Sequence, residues 1–94
     1  MSTIKNNVIP MTGRKEKKQA SLSENVKHTL QQYMNDLDGE LPANLYDLVL
    51  QQIEKPLLET VMAHVSGNQS KAAQCLGLNR GTLRKKLLTY SLID

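Results

Sequence analysis

Asn79, Arg80 and Arg84 are the residues best equipped for recognition chemistry. An arginine donates two parallel hydrogen bonds to O6 and N7 of guanine, and an asparagine side chain pairs with the edge of adenine. Thr82, between the two arginines, has a hydroxyl for a phosphate and a methyl that suits thymine. Gly81 leaves this stretch without a side chain, so a base or a backbone can come close. Asn79, Arg80 and Arg84 are therefore expected to contact bases. Phosphate contacts are expected from the edges: Asn68, Ser70 and Lys71 at the start of a preceding helix, whose unpaired amides favour an anion, and Thr82, Lys85 and Lys86 beside the arginines. Asn68 and Asn79 also suit helix caps, a role compatible with contact, and Lys85 with Lys86 also fits a solvated face.

Positioning these side chains takes two short helices and a tight turn. Over Gly67 to Leu88 the chain reads GNQSKAAQCLGLNRGTLRKKLL. Asn68 can cap a helix with Ala72, Ala73 and Leu76 inward, and Gly77 supplies the left-handed conformation at its end. Leu78 packs inward, Asn79 caps a last helix, and Leu83, Leu87 and Tyr90 line its inner side. The side away from these leucines displays Gly81, Thr82, Lys85 and Thr89, with Arg80 and Arg84 along the flank. Two such helices about a glycine-containing turn make a helix-turn-helix, which places the start of its second helix in the major groove.

Upstream, the pattern predicts two longer helices. Ser21 and Glu24 fit a capping box opening a helix with Val26, Leu30, Tyr33, Met34 and Leu37 on one face, ending near Asp38 and Gly39. Pro42 stands where another helix could begin, and Asn44 is available as its N-cap. That helix runs to about Val65, with Leu45, Leu48, Val49, Ile53, Leu57, Val61 and Val65 in a stripe that Leu50, Leu58 and Met62 widen. So broad a stripe must be covered on more than one side, by neighbouring helices or by a second copy. Pro56 predicts a kink, with two helices meeting at Lys55 as the alternative. Residues 1–20 lack helical periodicity and read as a mobile arm, with Val8, Ile9 and Met11 able to form a short strand.

Composition agrees with this division. The 94 residues include no Trp or Phe, so a core must come from aliphatic residues, Met and Ala, as in packed helices. A lone chain of this size buries only about 60% of its unfolded surface, and a partner subunit would help it. Residues 1–20 carry Lys5, Arg14, Lys15, Lys17 and Lys18 against Glu16, a net +4. Residues 21–65 have a net −5, and residues 66–94, with Lys71, Arg80, Arg84, Lys85 and Lys86 against Asp94, again +4. An acidic scaffold between basic ends suits a polyanion-binding protein, and fits as alternatives a helical interaction module whose basic end meets an acidic protein, or uneven solvation of the surface.

Other chemistries are excluded on spacing. His28, His64 and Cys75 fall on three different predicted helices and lack the short pairs of a zinc site. No nucleophile elbow or activated pair is present, so neither enzyme activity nor a cofactor or small-molecule substrate is expected. A single cysteine suits a reducing compartment. The longest aliphatic run, Leu48, Val49 and Leu50, is far too short for a membrane span, and residues 1–20 hold no apolar run of signal length. A soluble, cytoplasmic protein is expected.

From Leu22 to Tyr90 the sequence resembles the Fis family of small bacterial nucleoid-associated proteins. NLYDLVLQQIEKPLLETVM, from Asn44 to Met62, and GNQSKAAQCLGLNRGTLRKKL, from Gly67 to Leu87, carry the likeness. The second segment alone is also similar to the DNA-binding domains of NtrC-type activators. The resemblance implies an all-α, four-helix protomer with a C-terminal helix-turn-helix, in an intertwined homodimer with a flexible or weakly β N-terminal arm. It divides the chain into an arm at 1–20, dimerisation helices at 21–66 and a DNA-binding unit at 67–94. It further implies a nucleoid-located, sequence-tolerant regulator that binds and bends double-stranded DNA, with RNA polymerase or a recombinase as further partners. Asn79, Arg80 and Arg84 match the family's base-contacting positions, and Asn68, Ser70, Lys71, Thr82, Lys85 and Lys86 its groove or phosphate positions. Ser66 stands where well-known members have Arg, and Leu88 with Thr89 replaces a common Lys pair, which implies fewer contacts at the flanks.

Overall fold

The computed structural model describes residues 21–94 and contains four helices, with no strand among the described residues. They are α1 (Leu22–Asp36), α2 (Leu45–His64), α3 (Gln69–Leu76) and α4 (Arg80–Thr89). The arm expected over 1–20, whether mobile or weakly β, lies outside the described residues. The chain divides into two compact units, Met1–Ala43 and Asn44–Asp94.

In the first unit, α1 opens on the capping box expected from Ser21 and Glu24. The Glu24 amide donates to Ser21 Oγ at 3.1 Å, and the Ser21 amide donates back to a Glu24 carboxylate oxygen at 3.0 Å. Both orphan amides are thereby satisfied reciprocally. The helix ends at Asp36, slightly before the expected end, and the left-handed Asp38 and Gly39 turn the chain away. None of its residues is buried: Tyr33 and Met34, on its apolar stripe, are 38% and 37% exposed.

In the second unit, α2 starts at Leu45 as expected, but Asn44 does not cap it with its side chain. Asn44 takes a left-handed conformation (φ 57°), which asparagine tolerates better than most residues, and its side chain makes no capping bond. Its carbonyl instead accepts from the Leu48 amide at 3.1 Å, closing the first helical turn. The helix then runs unbroken through Pro56 to His64, so the alternative of two helices meeting at Lys55 is not realised. The missing proline amide leaves the Gln52 carbonyl without its helical donor. Of the twenty residues of α2 only Leu58 is buried, while Tyr46, Leu48, Leu50 and Leu57 remain exposed.

Two tight turns then fold α3 against both α2 and α4. After α2, the Gly67 amide donates to the Met62 carbonyl at 2.9 Å and the Ser66 amide to Ala63 at 3.2 Å, with Ser66 and Gly67 both left-handed. After α3, Leu78 donates to Ala73 at 3.0 Å and Gly77 to Gln74 at 3.3 Å, with Gly77 at φ 75°. Both are Schellman endings, which satisfy the last carbonyls of a helix while reversing the chain. The core they enclose consists of Leu58, Ala72, Ala73, Leu83 and Leu87, flanked by Val61, Met62, Val65, Leu76, Leu78, Tyr90, Leu92 and Ile93. Ala72 and Ala73 have no bulk to hold the helices apart, so α3 lies close to its neighbours.

Candidate nucleic-acid interface

Helix α4 is held by its inner face and presents the other. Leu83 and Leu87 are fully buried at i and i+4, which fixes the rotation of the helix about its axis. Asn79 sets its start: it is the N-cap in extended conformation, and its Oδ1 accepts from the Thr82 amide at 2.8 Å. Asn68 does the same for α3, accepting from the Lys71 amide at 3.0 Å. Both asparagines therefore serve as caps, and each retains its amide NH2 as a donor. In this conformation Asn79 is better placed to donate to an acceptor than to pair with both edge atoms of an adenine.

The fixed rotation exposes Arg80, Gly81, Arg84 and Lys85 together on the outer side of α4. Asn68, Ser70 and Lys71 are exposed at the start of α3, and Thr82 is half-buried. None of Lys71, Arg80, Arg84 and Lys85 is in an ion pair with another described residue, so these four charges face solvent uncompensated. The first turns of α3 and α4 contain no acidic residue to oppose an anion. Such a surface can bind polyanions by releasing their counterions and can hydrogen-bond base edges through the two guanidinium groups.

Lys86 is placed differently from the other expected phosphate contacts. At 100° per residue it lies on the flank of α4 opposite Arg84, where its ammonium donates to Glu54 Oε2 of α2 at 2.7 Å. The Tyr90 hydroxyl donates to the other oxygen, Glu54 Oε1, at 2.6 Å. The hydrogen bond from Lys86, and then that from Tyr90, hold the Glu54 carboxyl below its ordinary pKa, while the bond to Glu54 raises that of the Tyr90 phenol. Thr89 is exposed, and its hydroxyl bonds back to its own helix, donating to the Lys85 carbonyl at 2.9 Å. Sequence reasoning missed Glu54, because its partners lie 32 and 36 residues away. The only local trace is the spacing of Lys86 and Tyr90, one turn apart on one face.

Two short helices about a left-handed glycine, the second capped by Asn79 and bearing an uncompensated cationic face, define a helix-turn-helix regulator class. Residues 49–90 match the family model described as "Bacterial regulatory protein, Fis family". The chain is 55% identical over 71 residues to the DNA-binding protein Fis of Glaesserella parasuis serovar 5, covering 76% of this chain and 72% of that relative. It is 54% identical over 71 residues to the protein of that name from Mannheimia haemolytica, with the same coverage. Against that of Aliivibrio fischeri strain MJ11 it is 45% identical over 85 residues, covering 90% of this chain and 87% of the relative. The chain belongs to the Fis family.

Proposed function

We propose that this chain is a sequence-tolerant DNA-binding regulator of the nucleoid, acting as a homodimer that bends the duplex it binds. The observation that carries the reading is the uncompensated row of Arg80, Arg84 and Lys85 on the exposed side of a helix locked by Leu83 and Leu87. Arg80 and Arg84 enter the major groove and read base edges, joined by the Asn79 amide donor. Asn68, Ser70, Lys71, Thr82 and Lys85 hold the phosphates on either side. Lys86 contributes less than sequence suggests, because Glu54 offsets its charge. The relatives are named DNA-binding proteins, and no helix among the described residues is long and apolar enough to cross a membrane. Residues 67–94 form the groove-reading part and residues 21–66 the dimerisation part, within a cytoplasmic protein that is a regulator and not an enzyme. RNA polymerase or a recombinase is a further partner in this reading.

The apolar surface left uncovered supports the dimer. No residue of α1 is buried, and Tyr46, Leu48, Leu50 and Leu57 of α2 are exposed, which a second copy would cover. Sedimentation at micromolar concentration is expected to give a dimer, and a stable folded monomer would contradict this assignment. Likeness to the Fis family implies two recognition helices closer together than the usual ~34–36 Å between half-sites, and a dimer of that spacing bends the duplex towards itself.

Gly81 offers a test of close approach. A Cβ built there would meet Asn79 Oδ1 at 3.5 Å, an ordinary contact, so the protein itself does not require glycine at this position. Gly81→Ala is expected to raise unfolding stability by about 0.5–1 kcal/mol through lower backbone entropy, yet to weaken duplex binding. Unchanged affinity in the stabilised variant would show that no DNA atom comes near this residue.

A further inference from the structure

Pro56 divides the attachment of α4 into two kinds. Every residue of α2 that joins the core around α3 and α4, namely Leu58, Val61 and Met62, follows the proline, as does the C-cap Val65. Glu54 precedes it, and its two oxygens take separate bonds from Lys86 at 2.7 Å and Tyr90 at 2.6 Å. These donors stand one turn apart on α4, so a single carboxylate grips the helix at two points along its axis. The Glu54 and Lys86 side chains are only 21% and 34% exposed, which strengthens a charge-assisted bond relative to one in open solvent. Between Gln52 and Pro56, the turn that includes Glu54, the helix lacks the rung that Pro56 cannot make, and α-helices kink most readily at such a point.

We propose that Glu54 is a positioning residue: through Lys86 and Tyr90 it clamps the recognition helix across the Pro56 joint, and so fixes the distance between the two recognition helices of a dimer. The inference rests on the reading of the chain as a DNA-bending dimer. The apolar core alone ties α4 to the segment after the proline, and the clamp ties it to the segment before, where Leu48 and Leu50 present the surface assigned to the second copy. With the clamp released, α4 keeps its own face and its base contacts but swings about the joint. Affinity for a single half-site is then preserved, while the geometry imposed on the duplex is relaxed.

The test uses the full chain and an end-labelled duplex whose bending is followed by energy transfer between the ends. Glu54→Gln and Tyr90→Phe are each expected to shift the transfer efficiency of the complex towards that of the free duplex and broaden its distribution. The dependence of affinity on salt should stay as in the wild type in Tyr90→Phe, which leaves the Glu54–Lys86 ion pair in place, and steepen in Glu54→Gln, which frees the Lys86 charge. The exchanged pair Glu54→Lys with Lys86→Glu should restore the bend only in part, because the ion pair re-forms with its charges reversed while the Tyr90 hydroxyl loses its carboxylate acceptor. Ser21→Ala, which removes a cap on α1 instead, serves as a control for loss of stability and should leave the bend unchanged. Wild-type transfer in Glu54→Gln, or an equal loss of bend in Ser21→Ala, would overturn the proposal. Should Glu54→Gln fail to fold, Tyr90→Phe, which keeps the ion pair, decides the matter in the same way. A wild-type protein that binds duplex without bending it, or does not bind, would instead overturn the underlying reading.

Discussion

Replacing Arg84 by alanine is expected to lower affinity for a preferred duplex by roughly tenfold to a hundredfold, about 1–3 kcal/mol, and to flatten discrimination between bases. The size follows from what Arg84 lacks. It is exposed, it makes no ion pair among the described residues, and its helix is held from behind by Leu83 and Leu87, so its guanidinium is free to bind and its backbone is already in place. Lys85→Ala removes a neighbouring charge of the same sign and should behave differently. Its loss weakens all sequences alike and lowers the salt slope by about one, as expected for a phosphate contact. Competition binding against a panel of single-base variants separates the two. Equal loss of specificity from both substitutions would contradict the division between base-reading arginines and phosphate-holding lysine.

The second large effect lies in the core. Leu83 is fully buried in a cluster of only five buried residues, so Leu83→Ala is expected to cost about 2–5 kcal/mol in chemical denaturation. Transfer free energy accounts for part of that cost. The remainder comes from the cavity, which neighbours such as Ala72 and Ala73 have no side-chain length to fill. In a small protein this is a large fraction of the total stability, and DNA affinity should fall with the folded population. A loss below about 1 kcal/mol would mean that Leu83 does not hold α4 as described.

How far the sequence alone reveals such features depends on the range of the interaction. The Ser21–Glu24 box, the Asn68 and Asn79 caps and the Gly77 turn join residues at most five apart, and each lies where its local pattern places it. The Leu83 and Leu87 stripe is equally legible, because helical spacing alone puts both on one face. Asn44 shows the limit of such reasoning: its type suits a cap, but the chain enters α2 in a left-handed conformation that points its side chain elsewhere. Lys86 shows another limit. Beside Lys85 in sequence it reads as part of one basic run, yet a single residue turns it through 100° towards α2. Its partner Glu54 lies 32 residues away and could be found only once the helices were packed. The breadth of the α2 stripe does announce a covering surface, though not which surface covers it.

The dependence of duplex affinity on salt tests the central claim most directly. A polyanion interface engaging about six or more phosphates should lose on the order of 10³-fold in affinity between ~50 and ~200 mM monovalent salt, with a linear log–log slope. That steep loss is the predicted result for the wild-type chain. A flat response, or no binding to duplex DNA at low salt, would contradict the assignment of Arg80, Arg84 and Lys85 to a DNA groove.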